Sequence, residues 1–194
     1  MARALGIAAV SATLMGLLRD RYRDEFGPSL AFELYQARNF DNPMKEGIAI
    51  CLWRVAPNVN RRNFSTRTDQ FGRRFRGSLP LDLFYLIVPF ADQAERQQRL
   101  LGWLMREMHE LGTMAPTQLN HYLAESDVFA EAESLNAIAE PLSVADYLTL
   151  WDRLKRLPPA ATYVLRMLML DSEIALDEYP LVEERAFDMG VPGA

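Results

Sequence analysis

The chain has 194 residues, 49% hydrophobic and 24% charged, with a formal net charge of -5. That length fits one domain burying roughly 70% of its unfolded surface, and the near-average composition excludes disordered, collagen-like and solenoid classes. No stretch reaches the ~20 unbroken apolar residues of a membrane span, and a single cysteine, Cys51, excludes a disulfide within the chain. The apolar run 7–18 follows a lone Arg3 and merges into an amphipathic pattern with no small-residue cleavage site after it. It is read as a helix and not as a signal peptide, so synthesis and assembly in the cytoplasm are expected.

In chain order, Ile7, Val10, Leu14 and Leu17 recur at helical spacing, which predicts a helix over 5–21 that is stopped by Gly27-Pro28. Residues 30–35 read as a short strand ending in a polar turn through Asn39, Asp41, Asn42 and Pro43. Strands 47–55 and 79–90 are apolar on both faces, the pattern of central strands covered on each side by helices or by another subunit. The segment joining them, 56–78, is too long for a tight hairpin. A helix over 92–111 carries the stripe Leu100, Leu101, Leu104, Met108 and Leu111 and ends at Gly112. A short helix at 118–124 and a strand at 134–140 follow. Ser143 with Asp146 resembles a capping box, and Leu142 with Tyr147 a hydrophobic staple, opening a helix to about 155 that Pro158-Pro159 breaks. The last strand has its apolar core at 164–170. The expected fold is one α/β domain over 1–176, a mixed central sheet of four to five strands flanked by helices, with a short acidic tail over 177–194.

Charge is uneven. Lys45 and Lys155 are the only lysines, and Arg54, Arg61, Arg62, Arg67, Arg73, Arg74 and Arg76 crowd one segment opposed only by Asp69. The chain beyond Arg106 is acidic. A basic loop and an acidic half suit a polyanion or the opposite charge on a second copy, and arginine's planar fork favours the protein interface. Phe64, Phe71 and Phe75 interleave with the arginines as base-stacking platforms do, so a nucleic-acid-binding accessory protein using loop 54–76 is the runner-up. The acidic balance and the lack of a nucleic-acid fold signature weigh against it.

Catalytic patterns are missing. The sequence holds no G-x-G-x-x-G, P-loop, G-x-S-x-G or H-E-x-x-H, and two histidines with one cysteine make no zinc set of usual type. His109 reads as a surface or capping residue, and Cys51 as a buried, inert thiol. Asp82, a carboxylate in an apolar strand, is expected to pair with an arginine such as Arg54 or Arg62. The residues nominate no enzyme, cofactor or metal.

Six collinear segments carry a resemblance. Ile7-Ala8-Ala9-Val10-Ser11-Ala12-Thr13-Leu14 with Leu17-Leu18 resembles the opening helix of the tail cap (terminator) proteins of contractile injection systems, the phage-tail-like particles of antifeeding-prophage and virulence-cassette type. Leu52-Trp53-Arg54-Val55-Ala56-Pro57-Asn58-Val59-Asn60-Arg61-Arg62-Asn63 is similar to that family's L-Y-R-V-x-P-N-x-x-L-R-N, with Trp53 where Tyr is commoner. Leu79-Pro80-Leu81-Asp82-Leu83-Phe84-Tyr85-Leu86 resembles its P-L-x-L-D-L-x-Y-L strand, and Leu100-Leu101-Gly102 with Met108-His109 its L-L-G…L-H helix. Glu140-Pro141-Leu142-Ser143 with Leu150-Trp151 is similar to E-P-L-S…L-W, and 163–172 stands at its Y-x-V-S-x-V strand, which Arg166 interrupts. Some members carry a long C-terminal extension, where about eighteen residues follow here.

The resemblance implies a structural subunit, not an enzyme. It would form a homohexameric ring on the distal end of an inner tube, end tube and sheath growth and anchor the last sheath layer. Its partners would be itself and the tube and sheath proteins, with no membrane, and as a component of the particle it would be released with it. Within that role Arg54, Asn58, Arg61, Arg62, Asn63 and Asp82 are expected at the ring or tube interface, or else in a network that rigidifies the fold. Phe32, Leu34 and Tyr35 are expected on an edge open to strand addition.

Overall fold

The computed structural model describes residues 4–26, 28–60, 65–69, 71–123, 128–130, 133–154 and 157–176. Its centre is β5 (Leu79–Phe90), flanked antiparallel by β2 (Gly47–Pro57) and β8 (Ala161–Leu170). β1 (Phe32–Tyr35) runs parallel to β2, and β7 (Leu135–Ala139) and the two-residue β6 (Thr113–Met114) extend the other side. The order β1-β2-β5-β8-β7-β6 gives a mixed sheet of six strands, more than the four to five expected.

Both faces of the central strands are apolar because both are covered. On the first face α1 (Gly6–Phe26), α2 (Ala94–Leu111) and the short α3 (Pro116–His121) bury Leu14, Leu18, Leu104, Met108 and Leu119 against Ile48, Ile50, Leu83, Tyr85 and Ile87. Each such side chain contributes roughly 1.5–3 kcal/mol. On the second face α4 (Val144–Leu154) and a 3-10 turn (Ala37–Asp41) pack Tyr147, Leu150, Leu154 and Phe40 over Ala49, Cys51, Leu86, Val88 and Phe90.

The first helix runs past the expected stop at Arg21. Tyr22 continues the i+4 stripe of Leu14 and Leu18, is buried, and meets the Trp103 ring edge-on at 5.1 Å. Polar groups inside this layer are satisfied: Ser11 Oγ and the Tyr85 hydroxyl share a hydrogen bond of 2.8 Å, and Thr13 Oγ1 donates to the Leu119 carbonyl at 2.9 Å. α4 starts as its capping signal predicts, Ser143 Oγ accepting the Asp146 N–H at 3.1 Å. The acidic tail 177–194 lies outside the described residues.

The arginine-rich connection is folded in its described parts. β3 (Arg67–Thr68) and β4 (Arg74–Phe75) form a small antiparallel hairpin, and residues 174–176 pair along the open side of β4. The hairpin therefore sits at the end of the sheet where β5 begins and β8 ends.

Candidate subunit interface

Two β-bulges place the candidate residues. In β2 the pairing slips between Leu52, opposite Tyr85, and Arg54, opposite Phe84. Trp53 is the extra residue, so Trp53 and Arg54 flank one phenylalanine and do not alternate across the sheet. The Arg54 guanidinium lies 4.6 Å from the Phe84 ring centre, and the Trp53 and Phe84 rings are 6.1 Å apart. Trp53 Nε1 is buried without a hydrogen-bond partner among the described residues. α4 covers the second face only as far as this cluster, beyond which Arg54 is exposed and Phe84 half-buried.

The second bulge lies between β5 and β8, where Leu81 pairs with Leu168 but Leu83 with Leu165. One residue, Asp82, opposes two, Arg166 and Met167. Met167 takes the extra turn with φ 74°, a left-handed backbone that an L side chain rarely adopts. Asp82 Oδ1 accepts the Met167 N–H at 3.3 Å, and Asn58 Nδ2 donates to both Asp82 oxygens at 3.0 and 3.1 Å. Asn58 Oδ1 in turn accepts the Asn60 N–H at 3.0 Å.

Of the ion pair expected between Asp82 and an arginine such as Arg54 or Arg62, the Arg54 alternative is corrected, and Arg62 lies outside the described residues. Among the described residues the carboxylate takes an amide and a backbone N–H, while Arg54 stacks on Phe84. Sequence reasoning missed Met167, because its role depends on a register slip that no local signal announces. Arg61, Arg62 and Asn63 lie outside the described residues. Arg166, which breaks the apolar pattern of β8, stands opposite Asn136 and 3.8 Å from Glu140 Oε2.

Of the expected strand-addition residues, Tyr35 is buried, its hydroxyl accepting the Met44 N–H at 2.8 Å, and Phe32 packs edge-on to Tyr22 and Trp103. Leu34 is exposed on the outermost strand. The Ala31 carbonyl binds the Ile48 N–H, so by alternation the Leu34 N–H points away from β2. No described group of three or more His, Cys, Asp or Glu could hold a metal ion, and no described helix is long and apolar enough to cross a membrane.

With this arrangement established, a sequence profile described as the Pvc16 N-terminal domain matches residues 9–184. The chain belongs to the Pvc16 N-terminal domain family. Among curated proteins no sequence matches. The fold is similar to the sheath/tube terminator of the extracellular contractile injection system PVC in its extended state, with TM-score 0.61 and 13% identity over 97% of this chain and 64% of that one. It is also similar to the tube-terminating cap of the anti-feeding prophage, with TM-score 0.56 and 14% identity over 90% of this chain and 60% of that one. The chain thus spans less than two thirds of either solved relative. The Pvc16-type fold is the tail-terminator α/β architecture expected from the six motif segments.

Proposed function

We propose that this Pvc16-family chain is the terminating cap of a contractile injection particle. Copies form a homohexameric ring on the distal end of the inner tube, end tube and sheath growth, and anchor the last sheath layer. The observation that carries this reading is the likeness of 97% of the chain to a sheath/tube terminator, joined to family membership over 9–184. Its role is structural and not enzymatic. Assembly takes place in the cytoplasm, and the chain leaves with the particle as one of its parts.

Two surfaces serve this function. Exposed Arg54 on the open part of the second face contacts a neighbouring subunit or the tube. The outward N–H of Leu34 receives a strand from a sheath subunit, with Phe32 and Tyr35 anchoring β1 in the core. Asn58 and Asp82 rigidify the strand ends behind that surface.

Native mass by light scattering, at two salt concentrations and with or without the tube protein, tests the proposal. A discrete ring-sized species, alone or on adding tube protein, is the expected result. A monomer indifferent to tube and sheath protein contradicts it. For the strand-addition surface, Leu34→Pro removes an outward N–H while leaving the β2 ladder intact, so sheath binding should fall without loss of fold. Unchanged sheath binding would rule out that edge.

A further inference from the structure

α4 leaves half of its apolar surface bare. Tyr147, Leu150 and Leu154 face the second core, but Val144, Leu148 and Trp151 form an i, i+4, i+7 stripe with 76, 56 and 53% of their surfaces exposed. Beside the stripe runs a groove of about 440 Å³, walled by Met105 of α2, Ala139 of β7, Leu142, Leu148 and the start of β8. Asp152 is exposed beside this stripe, one helical turn beyond Leu148, and Glu140 stands between the groove residues Ala139 and Pro141, 3.8 Å from Arg166. A contiguous apolar surface of this kind marks an interaction site.

At the other end of the molecule the β3–β4 hairpin presents the complementary shape and charge. Asp69 Oδ1 accepts the N–H groups of Phe71 and Arg73 at 2.8 and 2.9 Å, and Arg73 Nε donates to Asp69 Oδ2 at 2.8 Å. Gly72, at φ 81°, completes the turn. The loop is held by these bonds so that Phe71 projects with 73% of its surface exposed. Arg73 lies 5.6 Å from the Phe71 ring, and exposed Arg74 follows. A large aromatic presented by a pre-ordered turn is the form of an interface anchor.

We infer that the Phe71 hairpin of one copy docks in the α4 groove of the next, its arginines meeting Asp152 and Glu140. The two surfaces cannot meet within one chain. The hairpin is rooted where Leu79 pairs with Leu170, and the groove lies where Ile87 pairs with Ala161, eight residues and roughly 27 Å along β5. A contact between different surfaces of identical chains is heterologous, and it generates a ring when the rotation closes. The inference rests on the ring proposed above and assigns its interface.

Cysteine pairing tests it in the full chain. Phe71→Cys with Leu148→Cys, oxidised under conditions where the wild type assembles, should give a ladder of covalent oligomers rising to the ring size. Each single variant should give at most dimers. A ladder that stops at dimer, or no cross-link while the wild type still assembles, overturns this interface and leaves the ring itself standing. A wild type that never assembles overturns both. As a second measurement, Arg74→Glu and Asp152→Arg should each weaken assembly about tenfold, and the double variant should recover most of it. Two losses that merely add, with every variant folded by circular dichroism, would count against the pairing.

Discussion

Asp82 accepts the Met167 N–H at 3.3 Å across the bulge where β5 and β8 change register. That contact explains how a methionine holds a left-handed backbone at φ 74° inside the last strand. The carboxylate satisfies an N–H that the slipped ladder cannot, and Asn58 fixes the carboxylate by binding both its oxygens. Asp82→Ala should destabilise the chain by about 1–3 kcal/mol, the usual effect of orphaning a partly buried donor. Urea unfolding measures it, and a midpoint equal to wild type would mean the contact does not support the bulge.

The same geometry sets the order of substitutions at Met167. Met167→Gly relieves a backbone penalty of roughly 1–2 kcal/mol and should be neutral or slightly stabilising despite the lost side chain. Met167→Val puts a β-branched residue at positive φ and should lose about 2 kcal/mol or more. Equal stabilities for the two variants would contradict the strain.

Gly16 is required by close approach. A Cβ there would stand 2.3 Å from Tyr122 Cδ1, and the Tyr122 ring is held by the hydrogen bond its hydroxyl donates to Asp20 at 2.8 Å. Gly16→Ala should cost about 1–3 kcal/mol through overpacking. Adding Tyr122→Ser should recover a measurable part of it, and strict additivity of the two losses would show that the ring is not what Gly16 accommodates.

Stability should fall at alkaline pH. Burial, with the hydrogen bond to Asp20, pushes Tyr122 up to about 12, and burial raises the Tyr85 hydroxyl further still. Both groups hold their protons more tightly folded than unfolded, where the ordinary value is 10.0. Their contribution is complete below pH 10 and is lost as pH rises towards 12. The urea midpoint should hold from pH 8 to 9.5 and then drop, and a midpoint flat to pH 12 would contradict the shifts.

Cys51 is 8% exposed, and burial raises its thiol above the ordinary value. Ellman's reagent at pH 8 should react with it only as fast as the fold opens, and at once in denaturant. Rapid reaction in the native protein would place the thiol outside the second core.

The long elements were legible because their signals are local. β5 matches its expected span of 79–90, and α2, β7 and α4 fall within two residues of theirs, set by apolar periodicity and the Ser143 cap. What was not legible depends on partners distant in sequence. The helix expected over 5–21 runs on, because Tyr22 finds Trp103 and extends α1 to Phe26. β6 is two residues long and exists through its pairing with β7, and the β3–β4 hairpin is paired by residues 174–176. In the candidate interface, the Arg54 segment and Asp82 were visible as residues, but their partners Phe84 and Met167 come from the two bulges.

The most direct test of the cap is electron microscopy of tube protein polymerised with and without this chain. A terminator should stop growth, leaving short tubes with added density at one end only. Tubes that lengthen as in its absence, with both ends bare, would contradict a capping role.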